Sequence, residues 1–429
     1  MRQFFPQLGP VMERTRSRLL PGLSSRERST FRRHLVSAAM QAVAMGVILN
    51  HEYIAAKGLQ AEPWQVTLLV MIWPVANFLS VFISHWIDGR GCYSKAVLLG
   101  GLLRLAVCGM VFTDSVNVLL ILLLFFFGSN SMVLPVQNSI IRYRYGPGKR
   151  GSLFGWTMSV MNLVSLPTSM MVGVLLDADF SFYRWIFLAE GVFSAGQAAV
   201  LSWMARGMAA GGGGEHTRQG MGQFMRSLVD IFRRDKEFAY FETCFMLYGI
   251  AFQAVLPAIP FFARDQLGLS FEQFATAKGV IGQLGLLVLG PFLGAGVERI
   301  HPFKFTGAVV LVLAMYPIVM AAGAWVPSLG LVFFYLSFAF FALGIAGIKI
   351  SWNLSSMAFA PDGQTATYQG LHITATAIRG LFAPILGTVL LQQVGYTAPF
   401  IFSTALFLLS GGMFLGRYRK RRREGLIDW

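Results

Sequence analysis

Apolar runs long enough to cross a bilayer alternate along this chain with short segments of glycine, proline and charge. Twelve such runs fall at approximately 34–56, 65–87, 95–113, 117–141, 152–176, 183–205, 239–263, 273–297, 303–325, 328–353, 367–391 and 396–416. A membrane helix needs roughly 20 mostly apolar residues. A membrane β-barrel would instead alternate polar and apolar positions over segments of about ten residues, and the unbroken run Leu120–Phe127 excludes that. The pattern predicts an all-α membrane protein with twelve transmembrane helices running up and down.

The runs also repeat. Gly58-Leu-Gln-Ala-Glu-Pro-Trp64 precedes one and Gly268-Leu-Ser-Phe-Glu-Gln-Phe274 another, 210 residues later. At the same offset, Asp88-Gly-Arg90 is answered by Glu298-Arg299. A repeat of helical segments predicts two pseudo-symmetric six-helix bundles. The expected organisation is a basic tail over 1–33, a first bundle over 34–205, a linker over 206–238, a second bundle over 239–416 and a basic tail over 417–429. Within the linker, Gly211–Gly214 is followed by Met221, Phe224, Met225, Leu228, Ile231 and Phe232 at helical spacing. That spacing suits an amphipathic helix on the membrane surface, with a partly ordered linker as the alternative.

Composition agrees: 55% of residues are hydrophobic, 13% are charged, and the mean hydropathy is +0.59. The net charge of +15 invites a nucleic-acid reading, but its placement argues otherwise. Most Lys and Arg lie in the two tails, the linker and the loops on the termini side, whereas the opposite loops hold only Lys57, Arg184 and Arg264. Positive loops stay inside, so the expectation is a multi-pass protein of the plasma (inner) membrane with both termini cytoplasmic. Arg417–Arg423 then faces anionic membrane lipid rather than nucleic acid. The first 33 residues are too polar and Arg-rich for a signal peptide. Cys92, Cys108 and Cys244 suit neither a disulfide framework nor a metal site, and no cofactor or metal is expected.

Two loops carry a family signature. Ser84-His-Trp-Ile-Asp88-Gly-Arg90-Gly-Cys-Tyr-Ser-Lys95 and Gly294-Ala-Gly-Val-Glu298-Arg299-Ile-His-Pro-Phe-Lys304 follow the second and eighth runs. A third correspondence joins Pro147–Gly155 to Pro361–Gly370. With six plus six helices, the chain resembles the major facilitator superfamily, although Ser84 replaces the leading glycine and the closing basic pair has shrunk to Lys95. The resemblance implies a cytoplasmic latch: Asp88, Arg90, Lys95 and Arg150 in the first half, Glu298, Arg299 and Lys304 in the second. Asp88 would meet the start of helix eleven near Thr365–Tyr368, and Glu298 the start of helix five near Gly151–Leu153. A carboxylate at a helix C-terminus opposes the helix dipole and needs such compensation.

The resemblance also implies that helices one, four, seven and ten line a central cavity. Their polar residues include Gln41, Asn50 and His51, then Asn130, Gln137 and Asn138, then Glu242, Tyr248 and Gln253, then Lys349 and Trp352. Charges in hydrocarbon are functional candidates by default, which adds Arg104, Glu190 and Arg379. Lys278 lies near enough to a helix end to snorkel and is discounted. His51-Glu52 is either a proton-coupling pair or a plain interfacial one, and Glu190 is a candidate partner for Arg104.

Arg104, Lys349 and Arg379 against Glu190 and Glu242 leave a slightly positive interior, which points to an anionic or zwitterionic substrate. The predicted function is a secondary transporter of a small solute by alternating access, working as a monomer, with a proton or another ion as coupling partner. The alternative is a transporter-like sensor or assembly scaffold. A membrane-embedded enzyme is disfavoured because the six histidines are scattered over both sides.

Overall fold

The computed structural model describes residues 23–146, 149–208, 230–285, 287–289, 300–355, 357–361 and 365–426, with the side chains of Asp88 and Arg150 outside that description. The first half comprises α1 (Ser25–Ile48), α2 (Pro63–Arg90), α3 (Tyr93–Arg104, continued as a 3-10 segment over Leu105–Phe112), α4 (Val116–Gly128 and Asn130–Arg144), α5 (Arg150–Ala178) and α6 (Tyr183–Met204). The second comprises α7 (Lys236–Val255), α8 from Phe271–Ala275 onward, α9 (Pro302–Trp325), α10 (Gly330–Leu354), α11 (Thr365–Gln393) and α12 (Ala398–Arg423). Among the described residues, nine helices are long and apolar enough to cross a membrane. The start of α1, the start of α7 and the end of α12 lie at one end of the bundle, called the termini end below; the other is the far end.

Two boundaries depart from the apolar pattern. α1 begins at Ser25 rather than near 34, because Ser24 and Glu27 form a capping box that satisfies the first orphan N–H groups. α12 runs to Arg423 rather than ending near 416. Cations in a last turn suit the helix dipole, so the basic segment extends the helix. Of the expected linker helix, residues 221–229 lie outside the described residues. Residues 230–234 are helical, and Ile231 and Phe232 pack against Phe238, Tyr368 and Leu371.

Within the first half α1 packs on α5 and α6, α3 on α6 and α2 on α4; within the second α9 packs on α10 and α12, and α7 on α11 and α12. Glycines set the closest approaches. A Cβ on Gly307 would lie 2.9 Å from the Phe414 Cβ, and one on Gly101 2.9 Å from the Ala198 Cβ. The halves meet where α2 crosses α11 and α5 crosses α8. There Gly380 faces Pro74 and Gly279 faces Ser169.

The repeat is real in three dimensions, but its register differs by two residues from the sequence alignment. α1 ends in a wide turn, Ile54–Gly58, closed by Leu59 N–H to Ile54 O at 2.9 Å; α7 leads into the matching turn Phe262–Gln266, closed by Leu267 N–H to Phe262 O at 3.2 Å. Glu62 and Gln65 then form a capping box for α2, as Ser270 and Gln273 do for α8. These pairs are 208 positions apart. Gln60 (φ 55°) therefore corresponds to Gly268 (φ 61°), the turn position that must be left-handed. The shared Gly-Leu dipeptide is not equivalent: Gly58 is needed because Phe180 covers its Cα, leaving only 2.0 Å for a Cβ.

Candidate functional site

The far end of the seam between the halves is sealed by the repeated turns themselves. Residues near a pseudo-two-fold axis meet their own counterparts, so these turns dock on each other. Tyr53 OH donates to Leu269 O at 2.5 Å, Lys57 reaches the same carbonyl, and Arg264 donates to Ala56 O at 2.5 Å. The Tyr53 ring stacks on Phe274 at 4.1 Å. Lys278 forms an ion pair with Glu52, and the hydroxyls of Thr67 and Thr388 bond where α2 meets α11. Asp177 accepts the backbone N–H groups of Phe271 and Glu272 at 2.8 and 2.7 Å.

Two expectations change here. Lys278 does not snorkel; its side chain is 18% exposed and closes on a partner in the other half. His51 and Glu52, adjacent in sequence, do not pair, because neighbouring helical positions point about 100° apart. Glu52 turns to Lys278, and His51 Nε2 lies 2.9 Å from Glu190.

Inside the first half, Arg104 is buried within a neutral cage. It donates to Ser129 Oγ at 3.0 Å, Asn130 Oδ1 at 2.7 Å, Ser194 O at 3.3 Å and Gln197 Oε1. Glu190 makes its hydrogen bond with His51 rather than with Arg104. Asn130 is occupied by Arg104. Asn50 donates to Gly46 O at 2.9 Å and to Ser169 Oγ at 2.9 Å, an interhelical bond. Gln41 is half-buried and Asn138 is exposed, so Asn138 does not share the buried face of Asn130 and Gln137. Gln137 is buried with its Oε1 lacking a hydrogen-bond partner.

The second half holds the other cluster. His372 Nδ1 lies 2.7 Å from Glu242 Oε1, both buried, and the Trp352 ring lies 5.8 Å from the imidazole. Arg379, two turns along α11 from His372, donates from Nη1 to Phe245 O at 2.5 Å. Its guanidinium lies 5.2 Å from the ring centres of both Phe245 and Tyr248. Gly249 makes room for it: a Cβ there would stand 1.8 Å from the guanidinium carbon. Arg379 Nε and Gln253 Oε1 have no hydrogen-bond partner. Lys349, counted among the interior charges from the sequence, is instead exposed because its face of α10 is not covered by a neighbour, so the inward positive charge rests on Arg104 and Arg379. Buried polar atoms without a protein partner are uncommon and ask for a water or ligand.

At the termini end, Glu298 and Arg299 and the side chains of Asp88 and Arg150 lie outside the described residues. Arg90 lies 4.9 Å over the ring of Trp86, Lys95 is exposed, and Lys304 lies 5.7 Å over Tyr418. Arg144 donates to the carbonyls of Met204 and Arg206, closing the end of α6. Ahead of the apolar part of α1, Glu27 ties that helix to the α4–α5 loop through Gly146 N–H at 3.3 Å and Lys149 Nζ at 3.2 Å. The Ser24 backbone N–H, then Lys149, hold the Glu27 carboxyl down at about 2.

Asp177, Thr67, Thr388, Gln197 and His372 were missed as site residues. Asp177 had a signal, since it is an acid at a helix C-terminus and therefore needs compensation as Asp88 does.

Two bundles of six helices, joined along a polar seam sealed at one end, define a multi-pass membrane protein of the transporter class. The chain belongs to the Major Facilitator Superfamily, whose sequence profile matches residues 34–383. The synaptic vesicular amine transporter of Mus musculus is 29% identical over 160 residues, 35% of this chain but only 27% of that protein. A peptide transporter crystallised with sulfate superposes with a TM-score of 0.70 at 16% identity, covering 92% of this chain and 94% of that one. The nucleoside transporter NupG gives 0.69 at 13% identity, covering 91% and 100%. A human organic anion transporter gives 0.55 at 15% identity, covering 91% and 100%.

Proposed function

We propose that this protein carries a small anionic or zwitterionic solute across the plasma membrane by alternating access, with both termini in the cytoplasm. The named substrates of its relatives include amines, peptides, nucleosides and organic anions, so likeness alone does not choose among them. The observation that carries the choice is Arg379. It is 6% exposed, and its partners are a carbonyl and two ring faces rather than a carboxylate. A buried guanidinium without a bound anion is costly, and a substrate carboxylate or phosphate supplies one. Arg104, the buried arginine of the first half, is less available because its donors already have neutral acceptors.

The seal at the far end supports alternating access. Its bonds are single ion pairs, backbone caps and ring contacts, each exchangeable with water, so the seam can part there while the halves rock. In this reading the structure faces the cytoplasm, and a coupling ion would use one of the two buried His–carboxylate pairs.

Purified protein in liposomes, offered labelled dipeptides, dicarboxylates, nucleosides and amines, tests this. Accumulation or exchange of an anionic or zwitterionic member, abolished by Arg379→Gln and partly kept by Arg379→Lys, is the expected result. Movement of cationic amines alone would overturn the substrate class. Movement of none would favour the scaffold reading. Impermeant labelling of intact cells should reach a cysteine at Gln60 but not one at His216.

A further inference from the structure

We infer that the termini end of α9 and α12 forms a binding site for the headgroup of an anionic phospholipid. The basic end of α12 is not one uniform patch. Arg417 and Arg421 close on Glu237, the latter at 2.6 Å, and Lys420 lies 3.9 Å from Glu424. Lys304, Arg419, Arg422 and Arg423 form no ion pair among the described residues. These four, with Leu415 and Tyr418, border an open surface groove of about 530 Å³. Four cations around one space repel each other, and a phosphate relieves that repulsion.

The apolar surface leading to this groove identifies a lipid rather than free phosphate. On α12, Ile401, Leu408 and Leu415 recur every seven residues, two helical turns, so they share one face. Ile401 and Leu408 are 47% and 52% exposed, and the next member of the series is Arg422. On α9, Met315, Val312 and Ala308 are exposed along the face that ends at Lys304. Gly307 and Gly411 let the two helices touch, with only 2.6 Å between a Cβ on Gly411 and the Leu311 Cδ2. Acyl chains lying along this paired face place their phosphate between Lys304 and Arg422. Basic pockets between membrane helices on the cytoplasmic side favour such headgroups. The site does not depend on the substrate reading, and its test does not measure transport.

The experiment adds phosphatidylglycerol, phosphatidylcholine or inorganic phosphate to the full-length protein in detergent, reading Tm and lipid retention by native mass spectrometry. Phosphatidylglycerol should raise Tm and stay bound, and the effect should weaken with salt. Lys304→Gln with Arg422→Gln should weaken that binding about 25-fold, from roughly fivefold per lost charge. Arg233→Gln with Arg234→Gln, an equal charge loss elsewhere, should leave it unchanged. Equal effects of the two lipids, or an unchanged effect in the Lys304/Arg422 variant, would overturn the site. Stabilisation by inorganic phosphate alone, to the same extent, would overturn the lipid assignment. If the variant fails to fold, the comparison of the three additives on the native protein decides.

Discussion

The carboxylate of Asp177 accepts the backbone N–H of Phe271 at 2.8 Å, linking the last turn of α5 to the first turn of α8 across the seam. One contact answers two needs. The acid opposes the dipole of its own helix, and the N–H groups of α8 lack intrahelical acceptors. Asp177→Ala should cost the sealed state about 1 kcal/mol, the usual worth of a helix cap. A cysteine placed at Gln60 should then react several-fold faster with an impermeant thiol reagent. Unchanged reactivity would remove Asp177 from the seal.

Glu52 and Lys278 are partly buried, so either one alone is left as a poorly solvated charge. Glu52→Ala and Lys278→Ala should each lower stability by about 2 kcal/mol, and the double variant by less than their sum. Thermal unfolding of all four proteins gives the coupling. Strict additivity would deny the pair.

Space at Gly249 is what lets Arg379 sit over its two rings. Gly249→Ala should displace a flexible side chain rather than backbone. Substrate-induced Tm shifts should vanish while the ligand-free Tm moves by only a few degrees. At Gly279 the obstacle is Ser169, whose Oγ would lie 2.0 Å from a new Cβ. Gly279→Ala should destabilise by about 1–3 kcal/mol, and Ser169→Gly should restore much of it.

Arg104 donates in several directions at once, which suits a planar guanidinium and not an ammonium. Arg104→Lys should therefore be nearly as damaging to thermal stability as Arg104→Gln. Full recovery with lysine would show that charge alone matters there.

The Glu27 carboxyl, held at about 2, lies below an unfolded value of roughly 4.3. A depressed acid stabilises the folded state above the unfolded value and loses that contribution as pH falls toward the folded one. The Tm gap between the native protein and Glu27→Gln should be full at pH 6 and shrink between about pH 5 and pH 3. A gap independent of pH would remove the charge from the account.

Sequence alone determined the all-helical membrane class, which rests on hydrophobicity read over about 20 residues, and the doubling of the chain, which rests on motifs repeated at matching offsets. It also marked Arg104, Glu190, Glu242 and Arg379 as inward charges, since hydrocarbon penalises them wherever the helix packs. It did not determine partners. Asn130, chosen as cavity-lining, is taken by Arg104; His51 turns from Glu52 to Glu190; and Lys278, set aside as a snorkelling residue, seals the seam. Even the repeat was aligned two residues out, because identical Gly-Leu dipeptides outweighed the less visible capping boxes and left-handed turns. Pairing depends on which helix faces cross and how closely glycines let them approach. Those are properties of two segments distant in the chain, and only the packed bundle decides them.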